Sequence, residues 1–193
     1  MPATPAMASL TQAVPLIDGV LLRPAAPADA PALAAALRRN REHLRPWEPQ
    51  RPDDFFTTEG QLVRLQQQVL ERHSGREFGW LLVDGTEIAG SMTLTGIVRG
   101  PFQNASLGYW IAADRIGRGL ATAAVRAVCA AADHRLALHR VQAGTLPDNV
   151  RSQRVLAKCG FERIGTAERY LHIDGAWRDH VLFQRILNTH DPI

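Results

Sequence analysis

The sequence is poor in cysteine, with two in 193 residues. Cys129 and Cys159 have no Cys or His neighbour at metal-ligand spacing. That argues against a disulfide framework or a zinc site and for two reduced thiols in or near a core. The seven histidines, His43, His73, His134, His139, His172, His180 and His190, also lack metal spacing, so no metal is expected. Lysine is nearly absent: Lys158 is the only one, and arginine supplies the other cations. The formal net charge is only +3. No run of five basic residues occurs, which argues against direct DNA binding. No apolar run is long enough to cross a bilayer. The first residues lack the basic start and continuous apolar stretch of a secretory signal. Residues 1–16, rich in Ala, Pro and Thr, read as a flexible tail, with Met7 as an alternative start. The rest, 17–188, reads as one domain of a cytoplasmic protein, a monomer or homodimer.

What is there suits a globular α/β domain, at 46% apolar and 21% charged residues. Val20 to Arg23 reads as a strand ended by Pro24, and Ala28 to Arg39 as a helix. Arg41 to Pro49 reads as a break. Thr58 to His73 reads as a helix with a Thr58/Gln61 capping box and an apolar face of Leu62, Leu65, Val69 and Leu70. Glu77 to Asp84 and Glu87 to Thr95 are apolar strands around an Asp84-Gly85-Thr86 turn. Ala105 to Ile111 is a further strand. Gly117 to Leu136 reads as a long helix striped by Leu120, Ala124, Val128 and Ala132, with Val125 and Cys129 alongside. Arg140 to Leu146 is a strand, and Asn149 to Cys159 a helix stopped by Gly160. Phe161 to Leu171 and Trp177 to Ile186 close the chain as paired strands around Asp174-Gly175. These elements predict a central mixed sheet with helices on both faces.

The strongest local feature is Ile116-Gly117-Arg118-Gly119-Leu120-Ala121-Thr122, between a strand and a long helix. Glycines let backbone approach a ligand, and first-turn amides point outward without internal partners. With the helix dipole, they suit a diphosphate. Arg118 adds a charge-assisted donor. The nucleoside-triphosphate loop pattern is absent, and Thr122 replaces the third glycine of a dinucleotide fingerprint. A plain glycine turn before a helix stays open on this motif alone.

Downstream stand Pro147-Asp148-Asn149-Val150-Arg151-Ser152 and Val155-Leu156-Ala157-Lys158-Cys159-Gly160-Phe161. With the glycine loop, these residues resemble the GNAT acetyltransferase superfamily, in particular its RimJ/RimL branch of ribosomal-protein N-terminal acetyltransferases. Asn40 to Pro49, Val98 to Phe102, Leu107 to Ile111 and Tyr170 to His180 carry the likeness along the chain. The resemblance implies the GNAT fold and acetyl-coenzyme A as cosubstrate. It implies a pantetheine arm along Trp110-Ile111-Ala112 and a diphosphate on the amides of Gly117, Arg118, Gly119, Leu120, Ala121 and Thr122. It implies Asn149 on the cofactor arm, Ser152 beside the thioester sulfur to help protonate the leaving thiolate, and Arg154 toward the phosphates. Two positions depart from the superfamily pattern. Ile116 stands where many members have Gln or Arg, and Leu156 where many have a tyrosine acid, which moves that role to Ser152.

Acetyl transfer to an amine needs the free base, so a carboxylate or water chain must accept a proton. Glu48 is the first candidate, with Glu168 and Asp179 behind it. Trp47, Glu48, Tyr170 and Trp177 are expected to shape the acceptor cleft. A backbone amide near Ile111 is expected to hold the oxyanion. No Cys-His pair is poised for a covalent intermediate, so direct attack in a ternary complex is expected. The expected acceptor is the N-terminal amine (Ala or Ser) of a ribosomal or other protein. The alternatives are a small-molecule amine such as an antibiotic or polyamine, or a catalytically weak acyl-coenzyme A-binding module.

Overall fold

A computed structural model describes residues 12–191. Most of the expected tail lies outside the described residues. Its last part forms β1 (Val14–Pro15), which pairs antiparallel with β2 (Leu21–Pro24). After a 3-10 turn come α1 (Ala30–Arg39), α2 (Arg41–Leu44) and α3 (Thr58–His73). Three antiparallel strands follow, β3 (Phe78–Asp84), β4 (Glu87–Val98) and β5 (Asn104–Ile111). Next are α4 (Leu120–His134), β6 (Arg140–Thr145), α5 (Val150–Lys158), β7 (Glu162–Ile173) and β8 (Ala176–Ile186). The strands form one mixed sheet in the order β1-β2-β3-β4-β5-β6-β8-β7. Only β5 and β6 run parallel.

The sheet is buried on both faces, and β3 shows how the sequence specifies this. Its side chains alternate across the pleat. Phe78, Trp80 and Leu82 enter one apolar cluster, and Leu81 and Val83 enter the other. A strand buried twice over therefore reads as an unbroken apolar run. The larger cluster lies under α4 and α5, with Leu120, Ala124, Val125, Val128, Cys129, Ala132 and Leu156. The smaller one lies under α1 and α3, with Leu33, Leu37, Leu44 and Leu65. The stripe expected on the long helix is thus the buried face of α4, and both cysteines are buried free thiols. Gly160 follows α5 at φ +78°, the left-handed stop expected there.

Several details correct the sequence reading. The cap of α3 is Thr57, whose Oγ1 accepts from Gly60 N at 3.0 Å, and not a Thr58/Gln61 box. Gln61 is buried and donates to the Phe55 carbonyl. That bond rotates the helix, so Leu65 faces the core while Leu62 and Leu70 stay exposed. Within the expected break, Arg41–Leu44 is a full helical turn closed by Leu44 N donating to Asn40 O at 2.9 Å. The long helix begins at Leu120, three residues late, because Gly117 and Gly119 sit at φ +80° and +83°.

Candidate active site

The site is a tear in the sheet. β5 and β6 pair over only three residues, Asn104–Ser106 against Arg140–Gln142. Beyond that, β5 continues to Ile111 bonded only to β4, and β6 continues to Thr145 bonded only to β8. The strands diverge, and a cavity of about 1110 Å³ opens between them. Leu107, Gly108, Tyr109, Trp110 and Ile111 form one wall, and Ala143, Gly144 and Thr145 face them. Backbone groups along each lip have no strand across the gap, so they are available to an extended ligand that bonds as a strand would. Thr145 is buried, and its Oγ1 has no hydrogen-bond partner among the described residues.

At one end of the tear stands the amino terminus of α4. The first bond of the helix runs from Ala123 N to Gly119 O at 3.0 Å. The amides of Leu120, Ala121 and Thr122 precede it and have no acceptor within the helix. Positive φ at Gly117 and Gly119 turns the chain sharply, a conformation that any other residue would resist. Of the segment Ile116 to Thr122, Ile116 and Ala121 line the cavity, and the Leu120 side chain is buried in the core. Arg118 is exposed.

The middle of the cleft holds a hydroxyl pair. Asn149 caps α5, its Oδ1 accepting from Ser152 N at 3.1 Å, which fixes Ser152 in the first turn. Ser152 Oγ lies 2.8 Å from the Tyr109 hydroxyl, which also reaches the Ser152 carbonyl at 3.4 Å. Burial pushes the Tyr109 pKa up to about 12, against the lowering effect of its bond to Ser152. Tyr109 therefore keeps its proton throughout the ordinary pH range. Leu156, buried and lining the cavity, has no proton to donate.

At the far end, Trp47, Glu48, His172 and Trp177 line the opening, with the His172 and Trp177 rings edge to face at 5.5 Å. Glu48 is half-buried, and the Asp174 amide donates to its carbonyl at 3.2 Å, tying this segment to the β7–β8 turn. Burial pushes its carboxyl pKa up, and the positive charges of Arg51 and Arg64 pull it partly back. Trp110, Ile111, Asn149, Ser152 and Arg154 also reach the cavity. Tyr170 is not among its walls; it is exposed and packs on His180 at 5.6 Å. Ala112 also stays outside the walls, its amide donating to Ala89 O at 2.9 Å. Glu168 and Asp179 are exposed, and Asp179 accepts from the Arg169 amide at 2.9 Å.

Other cavity residues escaped the sequence reading. In the sequence Tyr109 reads only as part of an apolar strand, and His43, His172 and His180 only as histidines without metal spacing. His43 Nε2 lies 3.3 Å from the Ile111 carbonyl at the strand end. His180 is buried, with Nδ1 donating to the Arg178 carbonyl at 3.0 Å. Arg51, Phe55 and Arg64 carried no sequence signal at all.

The acetyltransferase (GNAT) domain model matches residues 20–162. The chain belongs to the GNAT acetyltransferase family. It is 38% identical to the ribosomal protein uS5-alanine N-acetyltransferase of Escherichia coli (strain K12) over 168 residues, 86% of each chain. The ribosomal-protein-S5-alanine acetyltransferase of Vibrio fischeri superposes with a TM-score of 0.90 at 34% identity, over 94% of this chain and 100% of that one. RimJ of Mycobacterium smegmatis, solved with a coenzyme A disulfide, gives a TM-score of 0.83 at 34% identity, over 86% of this chain and 81% of that one. The protein is thus an acetyl-coenzyme A-dependent N-acetyltransferase of the RimJ/RimL type. Its residues fit that cosubstrate: an unpaired strand lip for an amide-bearing arm and, at the α4 amino terminus, amides with no acceptor in the helix for a diphosphate. The cavity exceeds the usual range of about 300–1,000 Å³ for one small ligand, leaving room for an acceptor beside the cosubstrate. No helix among the described residues is long and apolar enough to cross a membrane.

Proposed function

We propose that this acetyltransferase modifies the N-terminal α-amine of a protein, with Ala or Ser as the first residue and a ribosomal protein as the acceptor. The observation that carries the reading is the shape of the far end. The cleft runs through the sheet and leaves by an exposed aromatic rim at Trp47 and Trp177, 37% and 63% accessible. A chain terminus can enter such an opening with the rest of its polypeptide outside. The relatives that act on uS5 alanine support the same acceptor.

Acetyl-coenzyme A, when bound, supplies an acyl group on a thiolate leaving group. The enzyme's own groups manage position and protons. Ser152 Oγ is the donor for the departing sulfur. Tyr109, kept neutral by burial, donates to Ser152 Oγ and so aims the serine proton into the cleft. Glu48 accepts a proton from the incoming ammonium, directly or through water. Its raised pKa brings it closer to the amine's, which shortens the uphill proton transfer. Asn149 positions Ser152 through the cap, and its Nδ2 makes no hydrogen bond among the described residues, leaving a donor for the cofactor arm.

The test is direct. Peptides beginning with Ala or Ser are incubated with the protein and acetyl-coenzyme A, and the N-terminal mass shift is read. Acetylated peptides are expected. Efficient transfer to a polyamine or an antibiotic amine, with none to any peptide, would replace this reading with the small-amine one.

A further inference from the structure

Two guanidinium groups share one phenyl ring in the wall of the cleft. The Cζ atoms of Arg51 and Arg64 lie 4.7 Å and 4.9 Å from the Phe55 ring centroid. All three residues line the cavity. Neither arginine forms an ion pair or hydrogen bond among the described residues. The acids of this region are engaged otherwise. Asp53 pairs with Arg41 at 2.8 Å, Glu42 with Arg45 at 3.3 Å, and Glu77 accepts from Gln68 Nε2 at 2.7 Å. Glu77 acts on Arg64, and Glu48 on both arginines, through space without contact, and burial favours the neutral form of Glu48.

Two like charges this close repel, and both have given up part of their hydration to the aromatic wall. Such a pair is poised for an anion, because a planar guanidinium presents paired donors to a carboxylate. Its place in the fold says which anion. Phe55 packs on the smaller apolar cluster, on the α1 and α3 face, whereas Ala121 at the α4 amino terminus packs on the larger one. The arginines therefore stand across the sheet from the helix amides that suit a diphosphate, on the acceptor side with Glu48. We propose that Arg51 and Arg64, held on Phe55, form an anion subsite for an acidic side chain just beyond the N-terminal residue of the acceptor polypeptide.

The proposal rests on the N-terminal reading above, and one assay separates the two. The full-length protein is given two Ala-initiated peptides, identical except that glutamates after the first residue become glutamines in the second. The expected result is a KM about tenfold lower for the glutamate peptide with similar kcat, the scale of one charge-assisted contact. The advantage should shrink as salt is raised, since the subsite is open to solvent. In the Arg51→Gln/Arg64→Gln protein the two KM values should converge, while Arg64→Lys should keep part of the difference. Equal KM values for wild type would overturn the subsite and leave the N-terminal reading standing. A preference that persists in the double variant would overturn the assignment to these arginines. Weaker coenzyme A binding in the double variant, with peptide preference intact, would do the same by placing the arginines on the cofactor. Transfer to neither peptide would sink the N-terminal reading and the subsite with it. The wild-type comparison decides even if the double variant folds poorly.

Discussion

Tyr109→Phe isolates one hydroxyl whose work can be stated in advance. The change removes the 2.8 Å bond to Ser152 Oγ and the 3.4 Å contact to the Ser152 carbonyl, and leaves the ring in place. A neutral hydrogen bond of this kind contributes about 1 kcal/mol. If its role is to aim the serine proton, the loss falls on the transition state, and kcat should drop about fivefold to tenfold. Coenzyme A affinity, measured by calorimetry, should barely change. Ser152→Ala removes the donor itself and should cost more, about a hundredfold in kcat. Adding Tyr109→Phe to Ser152→Ala should cost nothing further, because there is no proton left to aim. The wild-type to Tyr109→Phe ratio should be flat from about pH 6 to 9, since a tyrosine with its pKa raised to about 12 does not titrate there. Full additivity in the double variant, or a ratio that changes across neutral pH, would refute the reasoning. The same group predicts an alkaline effect on stability. The unfolded tyrosine ionises near its ordinary pKa of about 10 and the folded one near 12, so the folded state holds the proton longer. This contribution is whole below pH 10 and is lost as pH climbs to about 12. Tyr109→Phe should lack that part of the decline.

Two further outcomes are expected. Glu48 has its carboxyl pKa raised mainly by burial, so its charge costs the folded state as pH rises through that pKa; Glu48→Gln should therefore raise the melting temperature at neutral pH, lower kcat/KM by at least tenfold, and remove the acid limb of the rate profile. Asn149→Ala breaks the cap on α5 and should lower stability by about 1 kcal/mol in chemical denaturation, while kcat falls more than cap loss alone would explain because Ser152 loses its fixed place.

Much of this enzyme was legible where one residue reports one physical need. Gly117 and Gly119 announced a turn that only glycine makes readily, and both have positive φ. The α4 stripe announced its buried face through its period, and the helix start expected at Asn149 is where that residue caps α5. Reading failed where the need is shared between distant segments. Leu62 and Leu70 looked like core because periodicity counts apolar residues, yet Gln61 turned that face by bonding the Phe55 carbonyl. Tyr109 was invisible as chemistry because its partner is Ser152, 43 positions away, and a tyrosine in an apolar strand usually just packs. Tyr170 shows a similar limit: an aromatic in the closing hairpin suggests a cleft wall, and it is exposed, packed on His180, which is itself a wall residue.

The tear between β5 and β6 has a cause that no local pattern could reveal. Along β4, Val98 pairs with Asn104 and Thr95 with Ser106, so the residues between them include one more on β4 than on β5. That is a bulge, and Gly96 at φ +57° sits within it. A bulge bends its strand and increases the local twist. It lies opposite Asn104–Ser106, the stretch where β5 still pairs with β6. Past this point β5 pairs only with β4, while β6 stays with β8. The lips that remain carry their unmatched backbone groups into the cleft, and the same divergence sets Tyr109 across from Ser152 instead of behind a paired strand. One inserted residue in β4 thus creates both the slot for an extended ligand and the geometry of the hydroxyl pair. Shortening β4 by deleting Gly96 should restore pairing across β5 and β6, so binding of coenzyme A and acetyl transfer should fail together while the sheet itself persists.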